Sequence, residues 1–129
     1  MKKTMMALAL LAGLTGAAQA QDAEAGKAVF TVCKACHQVG EGAKNAVGPV
    51  LNGLIGRKSG SIADFNYSEA MKNSNLTWDE ATFAEYIANP KAKVPGNKMV
   101  YAGQKDPQKV QDLIAFLKQY DADGKTKAP

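Results

Sequence analysis

Apolar residues recur at helical spacing near both ends of the chain and lose that rhythm in between. Ala25, Val29 and Val32 stand three to four apart with Phe30 beside them, which predicts a helix over Ala23 to Lys34 starting behind Asp22. The clearest run lies at the other end, where Val110, Leu113, Ile114 and Leu117 follow the i, i+3, i+4, i+7 pattern and Phe116 and Tyr120 broaden the face. Asp106 supplies its N-cap, and Pro107 suits the first helical position, where a missing N–H costs nothing. Between these ends, Thr77-Trp78-Asp79-Glu80 reads as a capping box with Thr77 as N-cap. The helix it opens has Phe83, Tyr86 and Ile87 on its inner face and stops at Asn89-Pro90. Ser68 to Asn73 reads as one helical turn. Gln38 to Lys58 is rich in glycine and holds Pro49, so it is expected to be loop, and the polar residues after 120 are expected to fray. No segment alternates with period two, and the expected fold class is all-α.

Composition narrows the picture. With 46% hydrophobic and 22% charged residues the 129-residue chain is neither disordered nor fibrous. Residues 1–20 carry Lys2-Lys3, an apolar run from Met5 to Leu14 and a small-x-small end, Ala18-Gln19-Ala20, the three regions of a secretory signal peptide. Its removal would leave residues 21–129 as a single domain beginning at Gln21, with a short polar tail after about residue 120. No later stretch approaches the roughly 20 apolar residues of a membrane-spanning helix, so no stable membrane insertion is expected. The expected location is the bacterial periplasm. The formal charge of +4 includes Lys2 and Lys3, and what remains without them is too small to argue for nucleic acid. Its distribution says more: Lys91, Lys93, Lys98, Lys105 and Lys109 face only Asp106 over the same span. Such a cluster is either a solvated face or an electropositive patch that steers an acidic partner.

The chemistry sits in one pentapeptide. Both cysteines and the single histidine of the chain occur together as Cys33-Lys34-Ala35-Cys36-His37, the C-x-x-C-H pattern of covalent haem attachment. Residues three apart at a helix end present both sulfurs on one side, where they can form thioethers with the two vinyl groups of one porphyrin. The next residue then turns its imidazole under the iron. A closed zinc site would need a fourth ligand that is neither cysteine nor histidine. A thioredoxin-like pair belongs to a fold with strands, and a disulfide across two residues closes too small a loop to stabilise much. Haem also answers a shortage of core, because a large apolar plate fills a domain of few helices and long loops. One haem c per chain is expected, with His37 as one axial ligand.

The other axial position decides the function. A protein ligand there makes an electron carrier, whereas an open position makes a binder of gas or peroxide. With no second histidine, the residues leave Met99, Met71, a lysine or an open site. Met99 lies in a segment that Pro95, Gly96 and Gly103 keep out of a helix, a loop able to cross a haem face. Met71, within a helical turn, reads more simply as core filler.

These motifs, with Gly48-Pro49, Gly56-Arg57-Lys58-Ser59-Gly60, Phe65-Asn66-Tyr67, Leu76-Thr77-Trp78, Asn89-Pro90-Lys91 and Pro95-Gly96-Asn97-Lys98-Met99, make the chain resemble class I c-type cytochromes over residues 22–120. The likeness is to the small periplasmic carriers of purple and related bacteria and to mitochondrial cytochrome c. It implies the small cytochrome c fold, with the first and last helices crossing where Gly26 and Phe30 meet Leu113 and Phe116. It implies Met99 as the sixth ligand and the Pro49 carbonyl as acceptor of the second imidazole proton of His37. Arg57, Tyr67 and Trp78 would surround a haem propionate, Tyr86 would lie near the Met99 sulfur, and Asn97 near a propionate or an internal water. Two positions depart from the pattern: Met71 stands where many relatives have an asparagine, and Tyr101 where mitochondrial forms have a phenylalanine.

The function so implied is a monomeric one-electron carrier, not an enzyme. Lys34, Lys44, Lys91, Lys93, Lys98, Lys105 and Lys109 would ring the exposed haem edge. A quinol–cytochrome c oxidoreductase would dock there as donor, and a terminal oxidase or a photosynthetic reaction centre as acceptor. A haem protein with an open sixth site, binding gas or peroxide, is the alternative, and no distal histidine supports it.

Overall fold

A computed structural model describes residues 21–127, so the expected signal peptide lies outside the described residues. The described chain holds α1 (Ala23–Phe30), α2 (Glu69–Lys72), α3 (Glu80–Ala88), α4 (Pro90–Lys93) and α5 (Pro107–Lys118), with one 3-10 turn at Cys33–Ala35. Among the described residues no strand forms, only isolated bridges between Lys58 and Thr77 and between Tyr120 and Thr126. The all-α expectation is met.

The core is organised by the crossing of α1 on α5. Gly26 stands at the point of closest approach, where a β-carbon would overlap the backbone carbonyl of Asp112. Beside it the Phe30 and Phe116 rings meet at 5.1 Å, and Leu113, Ile114 and Leu117 complete the seam. Full burial of each of these side chains contributes about 1.5–3 kcal/mol. Asp112 is buried in the same crossing, and its Oδ1 accepts from the Asp22 N–H at 3.1 Å and from Gln108 Nε2 at 2.9 Å. A carboxylate taken out of water needs such donors. Helical spacing places Asp112 beside the apolar stripe but does not announce this role.

Three local expectations are corrected. α1 ends at Phe30, and Val32 is 63% exposed; the buried positions are Gly26 and Phe30. The Thr31 N–H turns to the Ala28 carbonyl, which tightens the helix end and starts the turn that carries the cysteines. α3 is capped by Asp79, whose side chain accepts from the Thr82 N–H at 2.7 Å, and not by Thr77. Thr77 and Trp78 are held extended instead, because Trp78 donates to the Arg57 carbonyl and accepts from the Gly56 N–H. Two main-chain bonds outweigh one side-chain cap. Asn89-Pro90 ends α3 as expected, yet Asn89 also caps α4 by accepting from the Ala92 N–H. Residues 121–127 do not fray: Lys127 donates to the Gln119 carbonyl and Asp121 to the Lys125 carbonyl.

Candidate functional site

The loop from Gln38 to Lys58, the turn around α2, the face of α3 and the segment after α4 enclose a mostly apolar cavity of about 750 Å³. That is the size of a pocket for a cofactor or drug-sized molecule. Cys33, Cys36, His37 and Met99 all line it. The structure thus gathers the pentapeptide and the loop methionine, which lie more than sixty residues apart in sequence, on one space.

Main-chain bonds position the histidine. The His37 N–H donates to the Cys33 carbonyl at 2.8 Å, and the Gly48 N–H donates to the Cys36 carbonyl at 2.8 Å, which closes the loop over the motif. His37 Nδ1 lies 2.8 Å from the Pro49 carbonyl. A carbonyl only accepts, so Nδ1 carries the proton and Nε2 keeps its lone pair. Burial lowers the His37 pKa, partly opposed by the Pro49 bond, and nearby Arg57 lowers it further. The ring is therefore held neutral, the form that ligates metals. Gly48 is required here, because a β-carbon at this position would overlap the imidazole. In the sequence Gly48 stands only as part of the shared Gly48-Pro49 motif; its contact with His37 is visible only in the fold.

Both cysteines are free thiols and half-buried. Burial pushes the Cys33 thiol up, with Cys36 adding to the effect, the reverse of the depressed thiol of a redox-active pair. No group of three or more His, Cys, Asp and Glu side chains suited to a metal ion occurs among the described residues.

Met99 is held by side chains. Asn97 Oδ1 accepts from the Met99 N–H at 3.0 Å, and Tyr86 donates its hydroxyl to the Met99 sulfur at 3.9 Å. Burial raises the Tyr86 pKa to about 12, so the phenol remains a donor throughout the neutral range. Asn97 lines the cavity, but its amide nitrogen is committed to the carbonyls of Pro90 and Val94. It thereby shapes the loop that carries Met99. Met71, on α2, lines the same cavity.

Arg57, Tyr67 and Trp78 also meet here. Arg57 Nη1 donates to the carbonyls of Val50 and Asn52, while its Nε is buried without a partner. The Tyr67 hydroxyl accepts from the Ile62 N–H at 3.1 Å, which leaves its own proton to give. Trp78 is 5% exposed and packs against Tyr86 at 4.8 Å.

Of the lysines expected around an exposed edge, Lys98 lines the cavity and reaches the Asn66 carbonyl. Lys34, Lys44, Lys91 and Lys109 are exposed, whereas Lys93 pairs with Glu85 and Lys105 donates to the Ala88 carbonyl. Val32, Val47 and Val100 are exposed at the cavity rim. Sequence reading also missed Asn52, buried against Gly40; an asparagine in a glycine-rich loop carries no signal of burial.

The family Cytochrome c matches residues 23–121. The chain is 58% identical over 127 residues to a cytochrome c2 from Blastochloris viridis, covering 98% of this chain and all of that one. It is 60% identical over 105 residues to a cytochrome c-550 from Bradyrhizobium diazoefficiens, covering 81% of this chain and 77% of that one. Among solved structures it is similar to cytochrome cH from Methylobacterium extorquens, with a TM-score of 0.70 and 51% identity over 75% of this chain and 97% of that one. The chain belongs to the cytochrome c family, as a class I c-type cytochrome with the small cytochrome c fold. The family implies covalently bound haem c, and the cavity fits it. Its walls are apolar, two free thiols and a neutral imidazole lie on it, and the orphaned Arg57 Nε calls for an anionic partner.

Proposed function

We propose that this member of the cytochrome c family is a soluble one-electron carrier that binds one haem c through Cys33 and Cys36, with His37 and Met99 as axial ligands. The haem supplies a ferrous–ferric couple. The observation that carries the reading is the joint lining of one apolar cavity by Cys33, Cys36, His37 and Met99. The Pro49 carbonyl keeps Nδ1 protonated and so aims the Nε2 lone pair at a metal. Tyr86 orients the Met99 thioether, and the apolar walls exclude water, which disfavours the more positive oxidised state. Arg57 Nε and the Tyr67 hydroxyl would donate to a propionate and allow its charge to be buried. Asp64, the one carboxylate on the lining among the described residues, is exposed.

The chain would act in the periplasm as a monomer, as residues 21–129 after loss of a signal peptide at 1–20. The lysines at 34, 44, 91, 93, 98, 105 and 109 would steer acidic partners toward the rim, where Val32, Val47 and Val100 offer dry contact. Salt-sensitive, fast association suits turnover between a quinol–cytochrome c oxidoreductase and a terminal oxidase or photosynthetic reaction centre.

Carbon monoxide tests the ligation. The reduced protein is expected to show no spectral change on exposure to the gas, while Met99→Ala should bind it. A clear shift in the unmutated protein would replace the carrier by a gas- or peroxide-binding haem protein.

A further inference from the structure

The segment after α5 is polar and short, yet it is built into the molecule. Its main chain closes on itself through the bond from Lys127 to the Gln119 carbonyl at 2.9 Å and the bond from Asp121 to the Lys125 carbonyl at 3.0 Å. The Asp121 side chain accepts from the N–H groups of Asp123 and Lys125, which fixes the turn between them. This small knot then touches the motif loop at two places. The Gly53 N–H donates to the Tyr120 carbonyl at 3.1 Å. Gly124 is buried at φ +80 and packs on Gly40 so closely that a β-carbon would overlap the Gly40 carbonyl. Only glycine meets both demands.

Gly40 connects that contact to the site. Asn52, buried, grips it by both backbone groups: Oδ1 accepts from the Gly40 N–H at 2.8 Å, and Nδ2 donates to the Gly40 carbonyl at 2.9 Å. The carbonyl of Asn52 in turn accepts from Arg57 Nη1 at 3.1 Å. Between Gly40 and Asn52 lies Pro49, whose carbonyl holds the imidazole. A loop with no helix or strand of its own stays in one conformation only if something outside it removes its freedom.

We propose that residues 120–127 are a positioning element for this loop: Tyr120 and Gly124 hold Gly53 and Gly40, and through Asn52 they keep the Pro49 carbonyl on His37. The relation follows from the chain's own contacts and uses the haem-ligand reading only in that the holoprotein is the sample.

Hydrogen exchange followed by nuclear magnetic resonance tests it in the haem-loaded protein truncated after Tyr120. The Gly40 N–H and the His37 Nδ1–H should exchange about tenfold faster, while core amides of α5 keep their protection. Unchanged exchange at His37 Nδ1–H would reduce the tail to a cover and overturn the proposal. If the truncated chain fails to accumulate with haem, full-length Gly124→Ala decides, with faster exchange at His37 Nδ1–H expected and an unchanged rate overturning the proposal. A wild-type protein without covalent haem would instead refute the reading of the site.

Discussion

The two sides of the cavity are held by different means. On the side of His37 the bonds nearest the ring belong to the main chain, His37 to Cys33, Gly48 to Cys36, Leu51 to Gln38, and the Pro49 carbonyl to the ring, while the Asn52 and Arg57 side chains brace the loop behind them. On the side of Met99 they belong to side chains, namely Asn97, Tyr86 and the reach of Lys98 to Asn66. A substitution cannot delete a peptide group, so the bonds nearest the histidine are broken most directly when atoms are added. The second fails when atoms are removed. Under the proposed ligation, the nitrogen ligand would sit on the side braced by main-chain bonds and the sulfur ligand on the side that depends on a few side chains.

The largest effect should therefore come from a wedge on the histidine side. Gly48→Val would drive a side chain into the imidazole, and overpacking of this kind costs about 1–3 kcal/mol and occasionally more. Denaturant unfolding of the holoprotein should show the loss, together with a lower yield of haem-loaded chain. Wild-type stability would mean that the ring can move aside.

Removal of atoms should break the other side selectively. Asn97→Ala takes one of two donors from each of the Pro90 and Val94 carbonyls, which keep the N–H groups of Val94 and Asn97, and leaves the Met99 N–H without its side-chain acceptor, a loss of about 1–3 kcal/mol. The reduced variant should begin to bind carbon monoxide while exchange at His37 Nδ1–H stays at its wild-type rate. Equal disturbance of both readouts would erase the contrast between the two regions.

The smallest effect lies at the start of α3, the helix that carries Tyr86. The Thr82 N–H, and to a lesser extent its hydroxyl, hold the Asp79 carboxyl below its ordinary range. Its folded pKa is depressed, so its contribution is present above the unfolded value and is lost as pH falls through the folded one. Asp79→Ala should lower stability slightly at neutral pH and flatten the acid side of the profile, with the two proteins converging once the carboxyl is protonated. Urea unfolding at neutral and acid pH checks this, and parallel curves would show that the cap carries no charge-dependent part.

Local grammar made the ends of the fold and the centre of its chemistry readable. The pentapeptide needs its cysteines and histidine within five positions, and α5 declares itself through Asp106, Pro107 and an apolar stripe, because both are settled by neighbours in the chain. Met99 was only one of several choices on spacing alone, and family resemblance singled it out. The remainder came from contacts between distant segments. Asp79 displaced Thr77 as cap because Trp78 was already bonded to Arg57 and Gly56, and the polar tail stayed folded because Gly124 meets Gly40. Gly48, Asn52 and Asp112 took their roles from what packs against them. Periodicity records which face of a segment is apolar, whereas main-chain bonds and glycine contacts across the fold involve no side-chain pattern and so leave no mark along the chain.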